Sequence, residues 1–450
     1  MTWDFQTLFV LATFSIVVLA IAADLADMAL LSLLGVSALV VVGALNGQDA
    51  VHVFSTANGA IALLFGGMVV ARVLVPTGLF DQIGARFLRL TRGSGRRFIL
   101  GIVLMVVPLC AVLPNATTVI LLAPIVIRVA RSLEVDFVGP LVLMAILSNS
   151  AGLLTLVGDP ATFLVGSAIG MNFGAYLHWV SFGGLLEVAV VVVLAPWLLR
   201  DVWQVRRLLP AEPPLLAPFE RPYFCLCTLL VLVLMVALFI FGEALPQPIR
   251  PQAVAIIAAS LALLVLHSAR VEPVDAVLRD VDWKTLIFLV CMFFLVEAFA
   301  KTGVLQLLSD AVYGWFGVRL VPVALCLLVA VGAMSSVLAN IPVVAAMLML
   351  VKGYLVTAEV VPEEALGTLF SAWPTATVPV FIAMMFGGTL GGNATLIGAS
   401  ANIIAAGICA NHGQPVSFLR FLRYGLPITV VQLAVGALYV LALYWGEAHL

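Results

Sequence analysis

Two interrupted apolar runs constrain this chain more than any other feature. The later reads Leu390-Gly-Gly-Asn-Ala-Thr-Leu-Ile-Gly-Ala-Ser-Ala-Asn402, the earlier Ser148-Asn-Ser-Ala-Gly-Leu-Leu-Thr-Leu-Val-Gly-Asp-Pro160. Within them, Thr155-Leu-Val-Gly-Asp159 aligns with Thr395-Leu-Ile-Gly-Ala399. Of the 450 residues 64% are hydrophobic and only 10% charged. A soluble domain carries roughly 25% charged residues, so the partner of both runs is a lipid bilayer. Glycines and carboxamides at this density cannot continue a lipid-facing helix. Broken backbone at membrane depth is tolerated only where it is buried in protein or lines a wet cavity. Matched interruptions in the two halves of such a chain mark a binding site near the bilayer midplane.

The remaining apolar runs follow the same two-part plan. A crossing needs about 20 apolar residues. The first half offers spans at 5–22, 28–46 and 57–76. An amphipathic, interfacial stretch at 79–98 follows, with Phe80, Ile83, Phe87 and Leu90 opposed to Arg86, Arg89, Arg92, Arg96 and Arg97. Residues 99–131 are apolar but interrupted at Leu113-Pro-Asn-Ala-Thr-Thr118, leaving arms of about 15 residues, too short to cross. The expected element is a re-entrant hairpin. A span at 136–169, broken at 148–160, and another at 181–199 complete the half.

A polar, proline-rich linker, residues 200–222, divides the chain. The second half then repeats the order. Spans at 223–241, 252–268 and 284–301 precede an amphipathic piece at 303–317 and a hairpin at 319–357, whose tip is Ser335-Ser-Val-Leu-Ala-Asn-Ile-Pro342. A broken span at 369–410 and a last span at 424–446 finish it. An offset of 225 places Thr77-Gly78 on Thr302-Gly303, Arg72 on Glu297, and Asn115 on Asn340; the broken spans align at 240. The expected fold class is all-α: a polytopic membrane protein of two inverted repeats, 1–199 and 223–450, each with a re-entrant hairpin and a broken transmembrane helix. Lys and Arg concentrate on one side of this plan, which predicts that side to be cytoplasmic, with ten crossings and both termini outside.

Asn115, Thr117 and Thr118 open the second arm of the first hairpin, and Asn340 opens that of the second. Such residues can cap a helix whose first amides need partners. At the midplane, the same helix N-termini offer N–H groups and a positive dipole end to an anion, while facing carbonyls hold a cation. The two roles coexist around a cavity. Ser148, Asn149, Thr155, Asn393 and Thr395 in the breaks are read in the same way as solute ligands. Asp159 either caps the helix after its break or binds a coupling cation. Its counterpart Ala399 shows that the fold does not demand an acid there, and an ionisable group at depth is costly, so the coupling role is favoured. Glu187 stands alone in an apolar span, and Glu297 is read either as the i,i+4 partner of Lys301 or as a coupling acid. No Walker-type loop suggests ATP hydrolysis. The cysteines lack metal or disulfide spacing. Neither catalytic residues, nor a cofactor, nor a bound metal, nor a nucleic-acid partner is expected.

These residues resemble the ion transporter superfamily, specifically its arsenite-efflux and sodium/proton-antiporter type permeases, and most closely the branch containing the melanosomal P protein. The likeness rests on Asn115-Ala-Thr-Thr-Val-Ile-Leu-Leu-Ala-Pro124, on Ser148-Asn149 followed by Thr155-Leu-Val-Gly-Asp-Pro160, and on the 390–402 run continuing to Ala406-Gly-Ile-Cys-Ala-Asn-His-Gly413. It covers nearly the whole chain. The resemblance implies a homodimer with a scaffold and a moving domain that carries both hairpin tips in an elevator-like cycle, linked by the amphipathic segments 79–98 and 303–317. Two departures matter. The residue before each hairpin-tip asparagine is often Asp in this branch, whereas here it is Pro114 or Ala339. The usual paired proline is replaced by Ala161-Thr162. Losing both acids weakens tight sodium coordination and leaves Asp159 as the coupling acid.

The expected function is therefore secondary active transport in a bacterial inner membrane, by proton-coupled export of a small inorganic anion or arsenite-like metalloid. No Arg reaches either tip for bidentate recognition of a bulky carboxylate. Sodium/proton antiport and sodium-coupled carboxylate or sulfate transport use the same residues. A channel-like conductance and a membrane subunit driven by a separate ATPase are the alternatives of another class.

Overall fold

The computed structural model describes residues 5–22, 25–207, 221–366, 370 and 372–447. Those residues form helices and connecting turns. The first half runs through α1 (Phe5–Ala22), α2 (Met28–Val41), α3 (Gly47–Leu74), α4 (Leu79–Thr91), α5 (Gly95–Cys110), α6 (Asn115–Ser132), α7 (Val138–Ala151) and α8 (Pro160–Ala168). Then α9 (Phe173–Tyr176) continues through a π-helical turn (Leu177–Ser181) into α10 (Phe182–Leu198), with α11 (Arg200–Trp203) behind it. The second half comprises α12 (Pro222–Phe241), α13 (Pro251–Ser268), α14 (Val274–Arg279), α15 (Trp283–Lys301), α16 (Val304–Phe316), α17 (Leu320–Ser335), α18 (Asn340–Thr357), α19 (Val378–Gly391), α20 (Ser400–Asn411) and α21 (Phe418–Glu447).

The repeat is visible at the level of single hydrogen bonds. In the first half Thr77 donates its hydroxyl to Leu74 O at 2.6 Å and accepts from Leu79 N at 3.2 Å. In the second, Thr302 donates to Phe299 O at 2.7 Å and accepts from Val304 N at 3.3 Å. Each threonine is followed by a glycine in the left-handed region, Gly78 at φ 70° and Gly303 at φ 72°, where a side chain would be strained. These twin turns bend the chain from a long helix into its amphipathic neighbour.

Packing follows the same symmetry. α2 lies on α15 as α13 lies on α3, and α6 lies on α20 as α18 lies on α8. α10 and α21, equivalent in the two repeats, pack on each other. α3 and α15 are cross-tied by His52–Glu297 at 3.0 Å and by the Lys301–Asp49 ion pair. Arg72 near the other end of α3 binds Glu272 at 2.8 Å and Asp280 at 2.6 Å. Arg72 and Glu297, aligned by the repeat, thus each bind a partner from the opposite half.

Among the described residues, eight helical segments are long and apolar enough to cross a membrane. They include α6 and α18, the hairpins' second arms. The arms are longer than the sequence suggested, 16 and 18 residues in each hairpin. Their tips nevertheless lie against the breaks within other helical runs, Ala111 accepting from Thr155 and Ser336 from Thr395.

Other boundaries also move. The amphipathic helix stops at Thr91, because Arg92 at φ 45° and Gly93 at φ 75° turn the chain, so that 95–98 begin the hairpin. The first break is 152–159 rather than 148–160, since Ser148, Asn149 and Ser150 remain within α7. Glu297 pairs with His52 and not with Lys301, which turns to Asp49 instead. Of the linker, 200–207 folds back on the start of α5, with Gly95 N donating to Val205 O at 3.0 Å and Arg207 N to Gly93 O at 2.8 Å. Four of its prolines, Pro210, Pro213, Pro214 and Pro218, lie outside the described residues, as does the expected start of the second broken span at 369, whereas Pro222 opens α12.

Candidate functional site

Both breaks are built alike. After α7 and a short 3-10 turn (Gly152–Leu154) the chain is extended at Thr155, and again at Asp159 before α8. After α19 it is extended at Ala399 before α20. Thr155 donates its hydroxyl to Ala111 O at 2.5 Å, and Thr395 donates to Ser336 O. Ala111 and Ser336 end the first arms of the two hairpins and are related by the 225 offset. Each break is therefore pinned to the hairpin turn of its own repeat. Gly158 and Gly398 permit the fold-back: a Cβ on the first would lie 2.7 Å from Gly152 O, and on the second 2.6 Å from Gly392 O.

The two breaks also engage each other through a buried carboxamide network. Asn149 Nδ2 donates to Asn393 Oδ1 at 3.0 Å and to Asn402 Oδ1 at 3.1 Å. Asn393 Nδ2 donates to Ser150 Oγ at 3.1 Å and to Gln432 Oε1 at 2.9 Å. Gln432 Nε2 donates to Ser150 Oγ at 2.8 Å and to the Glu187 carbonyl at 3.0 Å. Asn402 closes the network onto Gly392 O and Thr395 O, both at 2.8 Å. All five side chains are buried, so each donor needs its partner, and the network fixes the relative position of the two broken spans.

Asp159 lies at the second crossing point. Its Oδ2 accepts from Ala161 N and Thr162 N at 3.2 Å, which caps α8. The same oxygen faces Thr389 Oγ1 of the other repeat at 3.4 Å, and the Asn340 amide lies beside the carboxyl. Asp159 thus caps α8 while its carboxyl also meets Thr389 and Asn340 of the other repeat. On its other flank the Asn115 carboxamide sits against Gly152, close to the Asp159 Cβ. Asn115 occupies the first helical position of α6, with Pro114 as the N-cap. The capping expectation for Asn115 therefore fails: Asn115 Oδ1 is buried without a hydrogen-bond partner, and so is Thr118 Oγ1. The unpartnered Asn115 amide oxygen beside a carboxylate leaves an incomplete oxygen-ligand set, of the kind that suits a small hard cation or a protonated ligand. Four helix N-termini, those of α6, α8, α18 and α20, border this region and add positive dipole ends.

The structure brings together Asn115, Asn149, Thr155, Asp159, Asn340, Asn393 and Thr395, while Thr118 is buried one turn along α6 with its hydroxyl toward Cys110. Thr117 is half-buried and outside the hydrogen-bonded cluster, and Ser148 spends its hydroxyl on Ala145 O at 2.8 Å in its own helix. Ser150, Thr162, Thr389, Asn402 and Gln432 were not among the site ligands expected from the sequence. Thr389 is the counterpart of Asn149, and Asn402 of Thr162, at the 240 offset, so the alignment itself held that signal. Gln432 had one too, as a lone amide in an apolar span. Beside the site, a cleft of about 320 Å³ separates α3 and α15 from α8 and α18. It is lined by His52, Asn58, Phe163, Arg250, Glu297 and Lys352, the last held over the Trp373 ring at 5.6 Å.

Paired breaks, facing hairpin tips and a buried acid are the arrangement of a secondary transporter, and comparison with known proteins identifies the group. Residues 16–372 match the family described as citrate transporter. The chain belongs to that family. As a citrate transporter family member, and within the ion transporter superfamily inferred from the motifs, it is a membrane transporter. It is 42% identical over 441 residues to an uncharacterized transporter of Synechocystis, covering 98% of each chain. An uncharacterized transporter of Mycobacterium tuberculosis is 32% identical over 439 residues, covering 95% of this chain and 96% of the other. The human P protein is 27% identical over 516 residues, which span 96% of this chain and 58% of the P protein. Among solved structures, the YdaH transporter of Alcanivorax borkumensis superposes with a TM-score of 0.55 over 90% of each chain at 15% identity. That likeness shows a shared fold.

Proposed function

We propose that this transporter moves a small oxygen-rich solute, an inorganic oxyanion or metalloid hydroxide, in exchange for protons carried at Asp159. The observation that carries the reading is the convergence of Asp159, Asn340 and Thr389 with the unpartnered amide oxygen of Asn115. A carboxyl at membrane depth defaults to function, and its neighbours are amides and hydroxyls of the size that grips a small polar solute. The four helix N-termini supply attraction for negative charge without an arginine. In this reading 1–199 and 223–450 act as inverted repeats joined by a cytoplasmic linker, in a homodimer of the bacterial inner membrane. The hairpins and broken spans move as one body past α3 and α15, and α4 and α16 serve as connecting arms.

A second reading is cation-coupled carboxylate transport. It is favoured by the family's description as citrate transporter and by the basic lining that Arg250, Lys352 and His52 give the cleft. Everted vesicles energised to an acidic interior and loaded with a pH-sensitive dye separate the readings. Alkalinisation on adding arsenite or a small oxyanion supports the first. A response confined to citrate or related carboxylates supports the second. A response to sodium alone assigns sodium/proton antiport, and none of these in an expressing strain overturns proton coupling.

A further inference from the structure

Glu187 lies outside the site just described, yet is joined to it. It sits in the middle of α10, fully buried, and both carboxyl oxygens lack a hydrogen-bond partner. The carboxyl occupies a notch at Gly436 of α21, where an added Cβ would lie 3.4 Å from Glu187 Oε1 and 3.2 Å from the Phe386 ring. No counter-charge stands at this level. Among the described residues, α7 and α19 bring no titratable side chain, and α17 brings only the exposed Cys326. Arg423 of α21 is roughly 13 Å along the axis from Gln432, and His178 is about as far from Glu187. α5 contributes Arg96 and Arg97 at its first turn and Cys110 at its last. Tyr439 of α21 spends its hydroxyl on Trp179 O at 2.8 Å. A bare carboxylate in such surroundings is costly.

We propose that Glu187 is a second proton-binding site, whose occupancy is read by the solute site through Gln432. The proposal rests on the proton-coupled reading above and extends it. One amide hydrogen of Gln432 goes to the backbone carbonyl of Glu187 itself and the other to Ser150, while Gln432 Oε1 holds Asn393. With Glu187 protonated, Gln432 is free to make these bonds, and the carboxamide network between the two breaks is closed. When Glu187 releases its proton, its carboxylate is the strongest acceptor near Gln432 Nε2. Recruiting that amide withdraws a donor from Ser150 or from the carbonyl and disturbs the hold on Asn393. Proton release at Glu187 and rearrangement at the solute site are thereby a single event, with the proton leaving when the network opens to water.

Infrared difference spectroscopy of the purified protein is the first test, because it reads the carboxyl without requiring transport. In an Asp159→Asn background, which removes the other buried site acid, a protonated-carboxyl C=O band should be present, absent once Glu187→Gln is added, and altered when pH is raised. A band insensitive to pH, or one retained once Glu187→Gln is added, overturns the proposal. The second test compares solute-driven proton flux across a pH series. Glu187→Gln preserves shape and neutrality, so it should fold and melt as the wild type does. Its pH profile should flatten, losing most of the several-fold rate change expected of the wild type. An unchanged profile in folded Glu187→Gln assigns the residue a packing role and also overturns the proposal. If wild-type vesicles answer to no solute, the coupling reading fails while the infrared titration still decides whether Glu187 binds a proton.

Discussion

At the scale of single residues, the chain divides its polar groups between those that hold the breaks together and those left for a ligand. Asn393 belongs to the first kind. Removing its carboxamide strands donors and acceptors on Asn149, Ser150 and Gln432, at about 1–3 kcal/mol for each buried group left unpaired. Asn393→Ala should therefore lower the melting temperature in detergent as well as transport. Asn115 belongs to the second kind. Its Oδ1 has no partner to lose, so Asn115→Ala should melt close to wild type while solute-driven flux falls more than tenfold. Equal thermal losses in the two variants would reject this division. Asp159 joins both kinds. Asn caps a helix about as well as Asp, and Ala forfeits about 1 kcal/mol at such a position. Asp159→Asn should thus retain stability that Asp159→Ala loses, a difference visible in paired melting curves.

At the scale of elements, the turns that begin α4 and α16 make the clearest forecast. Gly78 and Gly303 share a left-handed conformation and the same threonine hydrogen bonds. An Ala at either should cost about 1–2 kcal/mol, and by nearly equal amounts, whereas unequal losses would argue against equivalent repeats. Much of this element plan was legible in the chain, because glycine and proline punctuation falls at matching offsets. The exact limits were less so. Ser148, Asn149 and Ser150 look like the start of a break, but their side chains face protein rather than lipid, so the helix continues through them. Glu297 and Lys301 satisfy the local spacing of an ion pair, yet α3 lies alongside α15 and supplies His52 and Asp49 as partners. Local spacing carries no record of a partner from the other repeat. Gln432 and Asn402 left a trace in the sequence, but their partners Ser150, Glu187 and Asn149 lie in the other repeat and appear only in the fold.

At the scale of the whole molecule, inverted repeats place two hairpin tips and two breaks in one region, and give it a single acid because Ala399 stands where a second Asp159 would be. One half thus supplies the acid, while both supply the amides. In the proposed cycle α8 and α18 slide past α3 and α15 along the cleft that separates them. Cysteines at Asn58 and Leu348, both lining that cleft, joined by a short thiol-reactive crosslinker, should stop transport, and reduction of a cleavable linker should restore it. Undiminished flux with the crosslink in place would exclude such sliding. The central claim, that Asp159 couples solute movement to protons, is tested most directly by reconstituting wild type and Asp159→Asn into liposomes with the responsive solute. Two quantities would be measured side by side: solute exchange without a gradient, and accumulation driven by a pH gradient. The account predicts that Asp159→Asn keeps exchange and loses accumulation. Gradient-driven accumulation by Asp159→Asn at the wild-type level would contradict it.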